Sequence, residues 1–144
     1  MKLSRTLLCL LTCAIGSVAF AQSPVGLWKT VDDATGKEKA VIRISEAGGI
    51  FTGKIEKLLD SAKQDAKCDE CTDSRKGQPI LGLTIIRNIK KSESHWDGGD
   101  ILDAANGKIY RARLTLREDN KKLDVRGYMG TPMFGRTQTW LRLE

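Results

Sequence analysis

The Asn106-Gly107 pair lies between two stretches of alternating apolar and polar residues, and it constrains the fold more than any other feature. Asn and Gly tolerate the positive φ values of a type I′ turn, so the pair predicts a β-hairpin with a two-residue turn. After this turn, apolar and charged side chains alternate from Tyr110 to Arg117. This period of two is typical of a strand with one buried face. An isolated hairpin is marginally stable in water, so further strands must cover that face.

Short segments of the same kind, separated by turn residues, occur along the rest of the chain. The predicted strands span residues 26–31, 40–45, 50–58, 79–91, 96–104, 109–116, 123–128 and 136–143. Gly82 predicts a bend or bulge in the fourth strand, for which a buried helix is the alternative. The polar residues 59–79 form the longest irregular segment, and a short helix over 58–66 would fit its start.

About eight short strands with turns between them predict an all-β protein, either a closed antiparallel barrel or a sandwich. We favour the barrel, because closure removes exposed sheet edges. The interior of an eight-stranded barrel is just wide enough for side chains or one small ligand.

The first 21 residues have the three parts of a secretory signal peptide. Lys2 and Arg5 supply the basic start, residues 7–18 the apolar run, and 19–21 a small-x-small cleavage site. An uncleaved anchor is the alternative, but the run is shorter than the roughly 20 residues that span a bilayer. We therefore expect a single mature domain over residues 22–144, without a membrane span, in the periplasm or secreted. Its formal charge of about +4, spread among acidic residues, does not favour a nucleic acid partner.

The mature chain contains two cysteines, Cys68 and Cys71, which an oxidising compartment favours as a disulfide. A thioredoxin-like redox centre is the first alternative, but Asp69 and Glu70 between the cysteines disfavour a thiolate. A zinc site is the second, but His95 is the chain's one histidine and no second cysteine pair completes four ligands. We expect a structural staple in a loop, with no metal and no cofactor.

Residues at the two ends of the mature chain resemble the lipocalins and related small barrels. Gly26 and Trp28 form a Gly-x-Trp start, and Trp140 and Arg142 lie in the last strand. The resemblance implies that these four residues close one end of the barrel. Trp28 would plug that end, and a late arginine would lie across its indole. A guanidinium over an indole gains about 0.5–2 kcal/mol.

A set of motifs resembles a narrower group, the family called domain of unknown function 2147. In chain order they are GLWKT, CDEC, GQPILGL, WDGGDILDAANGKIY, LDVRGY and FGRTQTWLR, which together extend over nearly all of residues 22–144. The resemblance implies a small exported bacterial protein. It assigns no catalytic residue, because the family has no settled activity.

Residue patterns for catalysis are weak. A Ser-His-acid arrangement would need His95, which is expected at a strand end, and no GxSxG motif presents a serine. Asp97, Asp100 and Asp103 are candidate acid-base or calcium-binding carboxylates, but a bulge at Gly98-Gly99 would separate their faces. Turn and edge chemistry explains these carboxylates more simply.

Our main hypothesis is that the barrel binds a small apolar or amphipathic molecule or a lipid without catalysis. The candidate ligand-binding residues are Phe51, Ile55, Tyr110, Leu114, Arg126, Met129, Met133, Phe134 and Arg136. The two arginines are included because each lies beside a glycine near the last loop and would hold an anionic group if it points inward. Two alternatives stay open: an envelope protein-interaction module with a filled barrel, and an enzyme of unknown reaction.

Overall fold

The structure, a computed structural model, describes residues 22–144; the predicted signal peptide lies outside the described residues. The chain forms eight β-strands and one short 3₁₀-helix, and the all-β prediction is confirmed. The strands are β1 Gly26–Val31, β2 Glu38–Ala47, β3 Ile50–Leu58, β4 Thr84–Ser92, β5 His95–Leu102, β6 Ile109–Arg117, β7 Lys122–Tyr128 and β8 Gly135–Arg142. Over this part of the chain, no helix has the length and apolar character needed to cross a membrane.

The strands form a closed barrel in which each pairs with its neighbours in sequence and β8 pairs with β1. All pairings are antiparallel, so successive connections lie at alternate ends. Four connections, over residues 32–37, 59–83, 103–108 and 129–134, lie at one end, which we call the mouth. The chain termini and the three remaining hairpin turns lie at the closed end. Alternate side chains of each strand point inward and form the core.

Trp28 fills the closed end. Its indole is fully buried and donates a hydrogen bond from Nε1 to Pro24 O over 2.7 Å. The Arg142 guanidinium lies 4.2 Å from the ring centroid and donates to backbone carbonyls of Ser23 and Asn120. Gly26 has a φ of 140°, and a Cβ there would lie 2.4 Å from a C-terminal carbonyl oxygen. Glycine therefore lets the first and last strands approach each other beside the stacked pair.

The hairpin around Asn106-Gly107 is present, but the predicted type I′ turn is wrong. Gly107 has a φ of 72°, whereas Asn106 does not adopt a positive φ. Asp103 N donates to Lys108 O, and the Asp103 carboxylate accepts from Ala105 N, so four residues lie in the turn. An aspartate that accepts from the backbone two residues later stabilises this longer turn. The mouth loop after β1 begins in the same way, with Asp32 in the role of Asp103.

The long connection between β3 and β4 folds over the mouth. The helix expected over 58–66 is reduced to one 3₁₀ turn at Ser61–Lys63, and strand four begins at Thr84 rather than at residue 79. The predicted disulfide between Cys68 and Cys71 is confirmed, and both cysteines are fully buried. Their loop rests on the β5–β6 hairpin. The staple thus fixes one side of the mouth.

Candidate ligand-binding cavity

A cavity of about 1610 Å³ opens at the mouth and extends into the barrel. All four mouth loops contribute to its rim. The cavity exceeds the range of roughly 300–1,000 Å³ that is common for small-molecule sites, because its upper part is open to solvent. It is large enough for an acyl chain or a molecule of similar size.

The wall of the cavity is mainly apolar because it consists of the inward positions of the strands. Its deeper part is formed by residues from four strands: Ile42, Ile55, Val125 and Trp140. Trp140 is 2% exposed and lies on the cavity floor.

Tyr110 occupies the upper part of the wall. It pairs with Ile101 across β5 and β6, and its ring begins beside Gly127 of the next strand. A Cβ at Gly127 would lie 3.4 Å from Tyr110 Cβ, at the close limit of ordinary van der Waals contact. The glycine therefore leaves room for the phenol ring to lie against the wall of β7.

The inward positions of β8 change in polarity from the mouth to the floor. Arg136 lies at the rim, Gln138 follows, and Trp140 is deepest; all three line the cavity. The Gln138 side-chain oxygen accepts a hydrogen bond from Trp140 Nε1 over 3.4 Å, which leaves the amide NH₂ as a donor. At the rim, the Arg136 guanidinium lies 2.7 Å from Asp33 Oδ2 in the loop after β1. A ligand along this strand would meet charged, neutral polar and aromatic groups in turn.

The seam between β1 and β8 is short. Two residue pairs, Trp28 with Arg142 and Lys29 with Leu141, join the strands in the described chain. By contrast, β7 and β8 are paired over seven positions. Toward the mouth, β8 therefore has a strand neighbour on one side only, and the ion pair between Arg136 and Asp33 bridges the gap.

The carboxylates that line the cavity are all bound within the protein. Asp32 accepts from backbone and side-chain groups of Thr35, and these hydrogen bonds, chiefly the backbone one, lower its pKa. Glu38 binds Lys29 Nζ at 2.5 Å. Asp60 caps the 3₁₀-helix by accepting from Ala62 N. The Asp103 carboxylate accepts hydrogen bonds from Ala105 N and from the Asn106 side chain within its own turn.

The lysines of the rim differ from the carboxylates. Lys37, Lys63 and Lys67 line the cavity, and within residues 22–144 no carboxylate oxygen lies within 4 Å of their ammonium groups. Lys39 is 3.5 Å from Asp32. The charge available to a ligand at the mouth is therefore positive.

The structure brings five of the sequence-predicted ligand residues to the cavity. They are Ile55, Tyr110, Met129, Phe134 and Arg136. Phe51 and Leu114 are buried elsewhere in the interior, and Phe51 contacts Trp96 edge to face at 6.2 Å between ring centroids. Met133 is 80% exposed and is absent from the cavity wall.

Arg126 lies on the outer wall, because its neighbour Gly127 takes the inward position. It pairs with Arg113 and Thr137 across the sheet and donates to the Pro132 and Met133 carbonyls. Arg126 thus holds the β7–β8 loop from outside. Of the two arginines whose direction the sequence left open, Arg136 lines the cavity and Arg126 does not.

Sequence reasoning did not identify Ile101, Val125 or Gln138 as cavity residues, and it placed Trp140 at the closed end. The alternation of apolar and polar residues around these positions predicts strands, but it does not show how far each residue lies from the mouth of the barrel. That height depends on pairing with strands distant in sequence.

Two polar networks lie on the outer wall. The carboxylate of Asp97 is 2.8 Å from His95 Nε2 and 3.2 Å from a guanidinium nitrogen of Arg113. In the second network, the buried Arg75 binds Asp73 over 2.8 Å, and its hydrogen bonds lower the pKa of that carboxyl to about 2. The second network ties the disulfide-bearing loop to β4 and β5.

Comparison with known proteins places the chain in a family. In structure it is similar to protein HP1028 from the human pathogen Helicobacter pylori, described as belonging to the lipocalin family. The TM-score is 0.72 with 20% sequence identity, and the match covers 83% of this chain and 82% of that chain. At this identity the likeness concerns the fold. No curated protein is significantly similar to the chain. Residues 26–142 match the family of uncharacterized proteins conserved in bacteria, DUF2147, and the chain belongs to that family.

Proposed function

We propose that the protein is exported to the periplasm or secreted, and that it binds a small apolar or amphipathic molecule or a lipid in its barrel without catalysis. The observation that carries the proposal is the open cavity of about 1610 Å³, whose depth is lined by aliphatic side chains and Trp140. Apolar cavities with a few polar groups near the opening are typical of small-molecule binding sites.

The position of the histidine, the side chain best suited to acid-base catalysis near neutral pH, supports binding over catalysis. His95 is the chain's one histidine, and it contributes to the outer-wall network with Asp97 rather than to the cavity. The lipocalin description of the structurally similar HP1028 is in keeping with a barrel that has a ligand cavity.

Titration of delipidated protein with a neutral fluorescent acyl probe tests the binding proposal. We expect saturable binding to the wild type. Ile101→Trp, which adds volume inside the cavity, should weaken binding at least about tenfold, because a filled pocket excludes the probe. Thr52→Trp places the same side chain on the exposed outer face of β3 and serves as the control. Absent binding to the wild type, or equal affinity of the two variants, would contradict the proposal.

Export is tested separately. Fractionation of cells that express the full chain should yield protein outside the cytoplasm whose first residue is Gln22. Protein that retains residues 1–21 would contradict cleavage at the predicted site.

A second candidate function rests on the loop between β7 and β8. Met129, Met133 and Phe134 are between 68% and 80% exposed, which is unusual for large apolar side chains that lie together. Such a loop fits an envelope protein partner. In a pull-down from an envelope extract, Met133→Asp with Phe134→Asp should remove specific partners that bind the wild type. An unchanged set of partners would eliminate this candidate.

A further inference from the structure

We infer that Arg136 recognises an anionic head group of an amphipathic ligand, and that this group takes the place of Asp33 on the guanidinium. The inference rests on the proposed function and names its ligand class: a chain-like molecule with a carboxylate at one end. The residues that would bind this ligand all lie in the cavity or at its rim.

The order of side chains along β8 supports this orientation of the ligand. Trp140 and the aliphatic residues around it form an apolar floor, while Gln138 and then Arg136 lie progressively nearer the mouth. An acyl chain would bury its methyl end against Trp140, and its head group would then lie at the height of Arg136. Polar groups are costly to bury without partners, so the opposite orientation is disfavoured.

The short seam makes Arg136 accessible to such a head group. Beyond the Lys29–Leu141 pair, β1 and β8 separate, and Arg136 lies on the part of β8 without a neighbour on that side. The side chain of Arg136 is 69% exposed and that of Asp33 is 40% exposed. Exposed ion pairs are weak because water screens the two charges, so a ligand carboxylate can displace Asp33.

Asp33 is suited to be displaced because the loop does not depend on it. The carboxylate that holds this loop is Asp32, which accepts from the backbone N–H groups of Ala34 and Thr35. Within residues 22–144, the Asp33 carboxylate accepts hydrogen bonds from Nε and Nη2 of Arg136 and from no other group. Loss of this contact would leave the turn intact.

The charges around the mouth favour an anion over a cation. Each carboxylate of the cavity wall is bound to a partner in the protein, whereas Lys37, Lys63 and Lys67 have no carboxylate within 4 Å in the described structure. The guanidinium can bind a carboxylate with two parallel hydrogen bonds. These lysines add attraction over a longer distance, but Arg136 supplies the directed contact.

The test compares dodecanoate with dodecanol, which share a chain and differ in the head group. Both compete with the neutral acyl probe at pH 7.5, below the micellar concentration of dodecanoate and below the solubility limit of dodecanol. We expect the wild type to bind dodecanoate more tightly than dodecanol. Arg136→Gln should weaken dodecanoate about five- to tenfold and leave dodecanol within about twofold. Butyrate should not compete, because it has the anion without the long chain.

The second arm removes the competing carboxylate. Asp33→Asn should strengthen dodecanoate binding about two- to fivefold, and it should have no effect when Arg136→Gln is also present. Arg117→Gln removes the same charge on the outer wall beside Asp124 and serves as the control for bulk electrostatics.

The outcomes separate the inference from the proposed function. If dodecanol and the probe bind but Arg136→Gln leaves dodecanoate unchanged, or weakens both ligands equally, the head-group inference is wrong and the binding function stands. Equal losses in Arg117→Gln and Arg136→Gln would also overturn it. If the wild type binds neither ligand nor the probe, the proposed function itself fails.

Discussion

Replacement of Arg142 by methionine should destabilise the protein by about 3 kcal/mol. The guanidinium donates to Asn120 O at 2.6 Å and Ser23 O at 2.8 Å in partly buried positions, and to Val25 O at 2.9 Å where solvent has access. Methionine keeps the apolar stem but leaves these carbonyls without a donor.

The magnitude follows from the two partly buried bonds and the stack on Trp28. A hydrogen bond from a charged donor contributes roughly 1.5–3 kcal/mol, and water can replace the donor at Val25. The cation–π contact at 4.2 Å adds about 0.5–1 kcal/mol. Burial lowers the pKa of Arg142, so desolvation of the charge offsets part of the gain. The remainder is about 3 kcal/mol, which corresponds to a fall in Tm of roughly 10 °C for a domain of this size.

Urea unfolding followed by tryptophan fluorescence measures this loss. Arg142→Lys keeps the charge without the planar fork and should lose about half as much. Arg117→Met removes an exposed arginine paired with Asp124 and should cost less than about 0.5 kcal/mol. If Arg142→Met costs less than about 1 kcal/mol, the closed end is not held as described, and the reasoning is refuted.

Two further predictions concern the mouth loops. Gly107→Ala and Gly36→Ala alter glycines with similar φ values of 72° and 69°. An added Cβ at Gly107 would lie 1.9 Å from a carbonyl oxygen of the disulfide-bearing loop, whereas one at Gly36 meets nothing within 4 Å. Gly36→Ala should cost about 1 kcal/mol and Gly107→Ala at least about 2 kcal/mol more in urea unfolding; equal costs would contradict the contact between the loops. For Asp73, the folded pKa of about 2 is below the unfolded value of about 3.9, so its contribution to stability is complete above about pH 4 and is lost as the pH falls toward 2. Asp73→Asn should therefore flatten the dependence of the unfolding free energy on pH between about 4 and 2, and an unchanged acid profile would count against the network around Arg75.

The strands were predictable from the sequence because each alternates over a few residues and ends at a turn. The bounds of β1 and β3 agree with the predicted spans 26–31 and 50–58. Local side-chain hydrogen bonds explain one error, since Asp103 stabilises a longer turn than Asn106-Gly107 alone would favour. The start of the fourth strand was wrong because an apolar, β-branched composition does not show where pairing with β3 begins.

The candidate site was less predictable because it depends on contacts between distant strands. The alternation in β7 and β8 could not be carried across the glycines beside Arg126 and Arg136, so the sequence left open which of the two arginines faces the cavity. The short seam between β1 and β8 has no local signal, because it depends on where the first and last strands diverge. Asp33 reaches the rim of the cavity through its ion pair with Arg136, which bridges the gap beyond this seam.

Quenching of Trp140 by a brominated acyl chain tests the central claim most directly. Trp140 lies on the cavity floor, whereas Trp28 and Trp96 are buried in the core and do not line the cavity. We expect 12-bromododecanol to quench the wild type saturably, to do so equally in Trp96→Phe, and to lose most of this effect in Trp140→Phe. Absence of saturable quenching, or full quenching in Trp140→Phe, would contradict a ligand that enters the barrel and reaches its floor.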